Sequence, residues 1–419
     1  MKKTLAFLTI IFSMNLVTAQ TTGIPDPNFE QALISLGYDS GLQDGVVLTS
    51  NINTVTSLEV NNKNISDLTG IEDFTSLDSL SCTYNQLTSL DLSQNTYLSY
   101  LNCYNNQLTN LDVIQNASLT HLKCGLNQLS SLNISQNTAL TSLACLNNQL
   151  TNLDVTQNID MKTLGCGWNL LQNIDISQNT QLENFSCENN LINSLNVSSN
   201  LNLEDIHAAH NQLTAIDISN NILLNSLGVY YNQISSLDFS QNPLMWSVVC
   251  FNNQLSEIDL SQHPLLTLLV CRENNLTCLN IKNGMNSNIE HLDATGNSNL
   301  TCIEVDNPIW SAPLGILIDP QTSFNTNCNN PCAVGIEKKY LSNLSIYPNP
   351  TKGSINIELG AILRDVKATL TNGLGQVIFT KEYTSTDFIR LDIDAPNGIY
   401  FLQLQTESGE VITKKIIKE

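Results

Sequence analysis

A cysteine returns every 21 residues. Cys82, Cys103, Cys124, Cys145, Cys166 and Cys187 keep that spacing without exception, Cys250 follows after three periods, and Cys271 after one more. A fixed period in the range of about 20–29 residues describes a solenoid, in which each coil buries its apolar edge only against its neighbours. The two skipped slots hold Ala208 and Val229. A position open to Cys, Ala or Val is a buried small-hydrophobe position, so these thiols read as a core ladder rather than as metal ligands or a redox device.

Aligning the chain on this period exposes two further columns. Leu80, Leu101, Leu122, Leu143, Leu164, Phe185, Ile206, Leu227, Val248 and Leu269 each stand two residues before the cysteine slot. Residues two apart on an extended chain point the same way, which predicts a short strand in every coil with both side chains turned inward. Asn85, Asn106, Asn127, Asn148, Asn169, Asn190, Asn211, Asn232, Asn253 and Asn274 stand three residues after the cysteine slot. There the chain leaves the strand, and stacked amides can satisfy turn backbone groups that would otherwise be buried unpaired. Outlying rungs at Leu58 and Leu292 bring the number to eleven or twelve, on the order of 50 Å at strand spacing. The second half of each coil echoes the first, as in Leu108-x-x-Leu111-x-Val113-x-x-Asn116, so extended ladders are expected on both sides. No helical period runs through residues 80–290.

These columns resemble the cysteine-containing leucine-rich-repeat surface proteins of Bacteroidota, over about residues 24–332. The internalins of other bacteria are more distant relatives. The resemblance implies an amino-terminal cap at 21–57, a repeat solenoid at 58–300 and a carboxy-terminal cap at 301–332. In the first cap a short helix is expected around Pro27–Leu36, with Asp26 at its start and Gly37 at its stop. The segment LTCIEVDNPIWSAPLGILIDPQTSFNTNC resembles the family's closing cap, stapled by Cys302 and Cys328. A bridge that closes this loop contributes about 3 kcal/mol. A second pairing, Cys278 with Cys332, is the other possibility among the four cysteines off the ladder.

Charge marks where the array stops. Residues 21–337 carry five basic side chains against 29 acidic ones, while residues from 338 onward carry ten against nine. The period also ends there. Seven alternating segments separated by Gly, Asn and Pro turns predict a seven-stranded antiparallel β-sandwich at 343–419. Tyr347-Pro348-Asn349-Pro350, Asn372-Gly373-Leu374-Gly375, Pro396-Asn397-Gly398-Ile399-Tyr400 and Lys414-Lys415-Ile416-Ile417-Lys418-Glu419 resemble the type A sorting domain of the type IX secretion system. That resemblance implies handling by this machinery through residues 343–419, passage across the outer membrane and attachment to the cell surface. Residues 1–20 read as a secretory signal peptide, with two lysines, a short apolar stretch and a small residue at the cut. Residues 333–342 read as a linker. The fold expected is mainly β, a solenoid of 21-residue coils with a short helical cap, followed by the sandwich.

The chemistry open to such a chain is narrow. A net charge of −21 repels phosphate backbones, which excludes nucleic acid, and no stretch is long and apolar enough for a transmembrane segment. His207-Ala-Ala-His210 has the spacing of a metal dyad but lies on a strand and its exit, and no glutamate follows the first histidine. No nucleophile motif is present, so neither enzyme activity nor a cofactor is expected. Asp91, Asp112, Asp154, Asp175, Asp217, Asp238 and Asp259 share one column, interrupted by Asn133, Asn196 and Asn280. Stacked carboxylates at strand spacing are either solvated or bridged by calcium; the glycine-rich calcium motif is missing and a solvated face is the default.

The outward columns vary most, and they collect rings in a chain that is only 6% aromatic. Tyr84, Tyr100, Tyr104, His121, Trp168, His207, His210, Tyr230, Tyr231, Trp246 and Phe251 are the candidate ligand-binding residues. They suggest a non-enzymatic binding protein whose concave face engages a protein or a glycan. The alternative is a structural spacer or surface component with no specific ligand.

Overall fold

In the computed structural model, which describes residues 19–309, 315–328, 332, 344–372, 376–406 and 411–419, the period becomes a parallel sheet. Residues 1–18 of the 1–20 signal segment and the linker 333–342 lie outside the described residues. Two compact units divide at Asn330 and Pro331.

In the first unit each coil contributes a short strand to one parallel sheet, such as Tyr100–Asn102, His121–Lys123 and Ser142–Ala144. The strands pair in unbroken order with residues one coil apart in register, Leu101 opposite Leu122 and Leu122 opposite Leu143. Thirteen strands form this sheet, from Ser57–Glu59 to Ile316–Leu317. The added rung is Ile316–Leu317, which pairs beside His291–Asp293 but lacks the Leu-x-Cys pattern that marks the others.

The inward side of one coil shows why the sequence closes on itself. Leu101, Cys103, Leu108, Leu111, Val113 and Leu119 are all buried. At about 1.5–3 kcal/mol for each large aliphatic side chain, burial against the next coil is the main stabilising contribution. The eight ladder cysteines are buried free thiols, and Ala208 and Val229 fill their slots equally well. Burial pushes the thiols of Cys103, Cys145 and Cys250 up to about 12, so they stay protonated and behave as small hydrophobes.

Asparagine joins the coils. Asn106 Nδ2 donates to the carbonyls of Cys82 and Cys103 at 3.0 and 3.1 Å, and its Oδ1 accepts from the Leu87 N–H at 3.0 Å. Each amide therefore bridges two coils, as the column predicts. A second amide column runs through the echoing half of each coil, and it bonds through Nδ2 only, since its Oδ1 atoms have no partner among the described residues. Asn116, fully buried, donates to the carbonyls of Leu92 and Asn95 at 3.0 and 2.9 Å, and Asn137, Asn158, Asn179, Asn200, Asn221 and Asn242 repeat the pattern.

The column breaks at His263. Its Nε2–H donates to the Phe239 carbonyl at 3.1 Å and Nδ1 has no partner among the described residues. Burial holds the imidazole below its ordinary value near 6.5, so the folded form is neutral. The stability that depends on the neutral ring is present above that value and is lost as the pH falls below it. His263→Asn should therefore raise the melting temperature more at pH 5 than at pH 8. Equal gains at both values would remove titration of His263 from the account.

The opposite side of the coil corrects an expectation. A regular second ladder was expected throughout, but among the described residues it forms only over Glu257–Asp259, Cys278–Asn280, Cys302–Glu304 and Ser323–Asn325, with an isolated bridge between Asp112 and Asn133. Along this side Asp91, Asp154, Asp175, Asp217 and Asp238 each accept the N–H two residues on. The same local bond, an Asx turn, is made by Asp259, Asn280 and Asn325 inside the paired strands, so it accompanies both the paired and the unpaired coils. The carboxylate column thus has a turn-forming role. Bonds from Ser93 and Thr156 hold Asp91 and Asp154 below the usual carboxyl value.

At the amino end the helix Pro27–Leu36 forms where expected. Asp26 Oδ1 accepts the N–H groups of Asn28 and Phe29, and Gly37, at φ +81°, turns the chain out of the helix. At the other end Cys302 and Cys328 form a disulfide, and the segment they bound pairs into both sheets. Cys278 and Cys332 are disulfide-bonded as well.

The second unit has five strands among the described residues rather than seven. Ser354–Asn372 spans two of the expected segments, and Val377–Asp392 spans two more. Their pairing shifts register between Glu358 and Leu363, so the chain bends at an irregularity instead of breaking at a turn. The first half of Ser354–Asn372 pairs with Ser345–Tyr347 and the second with Gly398–Gln405, over one apolar core. The motif residues hold each other. Asn349 donates to the Lys415 carbonyl and accepts from the Ile417 N–H, while Lys418 Nζ donates to the Ile393 and Ala395 carbonyls. Among the described residues no helix is long and apolar enough to cross a membrane.

Candidate binding face

One backbone position in each coil is left-handed. Tyr84, Asn105, Leu126, Asn147, Trp168, Asn189, His210, Tyr231, Asn252 and Glu273 directly precede the bridging asparagine, and all have φ between 50° and 56°. Here the chain turns off the sheet so that the next amide can point inward. Asparagine and glycine enter this region readily, whereas other side chains meet a steric cost of roughly 1–2 kcal/mol. Four coils use asparagine. Six use Tyr84, Leu126, Trp168, His210, Tyr231 and Glu273, all but Leu126 exposed. A signal for this was present in the sequence, because the column alternates Asn with large side chains and ends on Gly296.

The eleven ring residues flank the buried Leu and Cys columns, and all are exposed or half-buried. They do not make one site. Tyr84 and Tyr104 meet edge to face at 5.8 Å, and Tyr100 lies 6.1 Å from His121 with Lys123 Nζ 5.7 Å from its centre. Five coils on, His210 stacks on Tyr231 at 4.3 Å and Tyr230 on Phe251 at 4.6 Å. Arg272 continues the second stack, its guanidinium 4.2 Å from the Phe251 centre, and lies 3.5 Å from Asp293. Trp246 is tied to Asn225 through its indole N–H at 3.0 Å. Trp168 stands alone, 54% exposed, with no ring or cation stacked on it among the described residues.

Between these groups the outward columns are nearly bare. Ala144, Gly165 and Ser186 follow one another, and Gly125 and Gly167 open the column beside them. A Cβ at Gly167 would lie 2.6 Å from the Glu188 carboxyl, and one at Gly228 would lie 2.8 Å from His207 Nδ1. Both glycines thus leave room for a charged group from a neighbouring coil. His207 Nε2 is 3.0 Å from Asp205 Oδ1, and Glu188 is bonded to Ser186. The bond to Asp205 raises His207 above its ordinary value although partial burial opposes it. The two members of the histidine pair engage different partners, His207 beside Asp205 and His210 on Tyr231. Among the described residues no group of three His, Cys, Asp or Glu is placed to hold a metal.

Residues 345–419 match the secretion system C-terminal sorting domain family. A 72-residue stretch, 17% of this chain, is 43% identical to Internalin J of Listeria monocytogenes serotype 4b (strain F2365), and the match spans 8% of that protein's length. Among solved structures, the internalin inlF of Listeria monocytogenes superposes with a TM-score of 0.56 at 19% identity, over 72% of this chain and 95% of the other. The APL1 leucine-rich repeat domain superposes with a TM-score of 0.51 at 20% identity, over 66% and 74%. The fold is that of a leucine-rich-repeat solenoid, and the tail is a sorting domain that implies secretion across the outer membrane.

Proposed function

We propose that this leucine-rich-repeat solenoid, carried out of the cell by its sorting domain, is a non-enzymatic binding protein displayed at the surface, whose ringed sheet face engages a protein or glycan ligand. The observation that carries the reading is the left-handed column. Asparagine fills it at little cost in four coils, yet Tyr84, Trp168, His210 and Tyr231 stand there exposed. Strained backbone positions cluster at binding sites, and exposed rings held there support an external contact. Rigid aromatic anchors of this kind dominate interface energetics.

The test replaces Tyr84, Trp168 and Tyr231 together with asparagine, the residue their column uses elsewhere. The melting temperature should stay level or rise by a few degrees, since each change relieves about 1 kcal/mol of strain. Binding of ligands found with the mature protein on glycan and protein arrays should be lost. A triple variant that keeps full binding would move the site off this face.

A further inference from the structure

We propose that the middle of this face takes a lysine or arginine side chain from a basic segment of a protein partner, held over the Trp168 ring beside the Glu188 carboxylate. The inference rests on the binding reading above and names the partner's chemistry.

The molecule already shows what its own rings accept. Tyr100 carries Lys123 at 5.7 Å and Phe251 carries Arg272 at 4.2 Å. Trp168 has the side chain that attracts cations best, is exposed, and has no such partner among the described residues. The backbone sets it in the left-handed region, with φ +56°, where Asn147 and Asn189 stand one coil to either side.

The carboxylate is placed from the next coil. The Trp168 N–H donates to the Glu188 carbonyl at 2.7 Å, and the Glu188 carboxyl leans back over Gly167. Any side chain at position 167 would displace it. The bare run of Ala144, Gly165 and Ser186 alongside leaves the approach open.

Charge selects the partner. Glu183, Glu188, Glu204 and Asp205 lie on adjacent coils, against Lys162 and His207. With five basic residues against 29 acidic ones, residues 21–337 carry about −24, which steers basic segments in and turns acidic ones away. A neutral glycan would gain nothing from that field.

Fluorescence anisotropy with the full mature chain tests this, using labelled dodecapeptides of alternating Arg-Ser and of alternating Glu-Ser. The Arg-Ser peptide should bind and the Glu-Ser peptide should not. Trp168→Asn and Glu188→Gln should each weaken binding about tenfold, with circular dichroism unchanged and the melting temperature no lower than that of the wild type. Asp112→Asn, which removes one charge from the far side of the coil, should leave it unaltered. Equal weakening by Asp112→Asn and Glu188→Gln would reduce the effect to bulk charge and overturn the proposal. A neutral glycan or an acidic protein whose binding is lost in Trp168→Asn would overturn the cationic partner while keeping the binding face. Ligands untouched by every change on this face would overturn both.

Discussion

Asn169→Ala is expected to destabilise the solenoid by about 2–6 kcal/mol, measured by denaturant unfolding. The side chain donates to the carbonyls of Cys145 and Cys166, both at 3.1 Å, and accepts from the Leu150 N–H at 3.0 Å. Alanine leaves the buried Leu150 N–H without a partner, at about 1–3 kcal/mol. It also removes one of two donors from each carbonyl, because Cys145 keeps Asn148 Nδ2 and Cys166 keeps Asn190 Nδ2, at about 0.5–1.5 kcal/mol per lost bond. Asn169→Asp separates the contributions: it can still accept from Leu150 but cannot donate, so two carbonyls face a carboxylate. It should be at least as damaging as alanine. A loss below about 1 kcal/mol in both variants would mean that neighbouring coils relax to satisfy these groups themselves.

The second large effect is expected at the amino-terminal cap. Asp26 accepts five hydrogen bonds, from the N–H groups of Asn28 and Phe29 in its own helix and from Ser66 N, Ser66 Oγ and Asp67 N in the first coil. One carboxylate thus starts the helix and fastens it to the solenoid. Asp26→Ala should cost about 2–4 kcal/mol, combining a lost helix cap with unpaired donors. Burial alone would raise this carboxyl, but the bonds from Ser66, Phe29 and Asn28 prevail and hold it below the ordinary value near 3.8. The group's contribution is complete above that value and disappears as the pH falls through its folded value. The wild type should therefore lose stability below about pH 4 more steeply than Asp26→Ala. Parallel acid profiles for the two proteins would show that Asp26 does not titrate with unfolding.

Both predictions concern residues that differ in how readable they were. The Asn169 column stands out because every coil repeats it and an amide at a strand exit has few other uses. Asp26 was legible as a helix cap through the proline that follows it. Its grip on Ser66 was not, since nothing local connects residues forty positions apart. The second amide column was equally regular in the chain, with Asn116 and Asn158 in plain view. Its meaning depends on stacking, which brings two carbonyls of the preceding coil within reach of each amide. The tail failed in the opposite direction. Its Gly and Asn punctuation suggested seven strands, but pairing across Glu358 and Leu363 carries one strand through the irregularity.

The candidate site divides the same way. All eleven ring positions followed from the period, because a 21-residue repeat fixes which side chains leave the sheet once one inward column is known. The cation over Phe251, the stack of His210 on Tyr231 and the isolation of Trp168 did not follow from it, since they depend on rotamers and on neighbours 21 residues away. The left-handed column left only its Asn and Gly members as a signal, because φ is set by the need to turn the next amide inward, and Tyr231 and Trp168 adopt it under that demand. The sequence by itself determined the repeating unit, its inward columns and the identity of the tail, all of which depend on local pattern and composition. Tertiary structure alone decided which outward groups meet, because stacking brings each residue against partners one coil away and that distance carries no local signal.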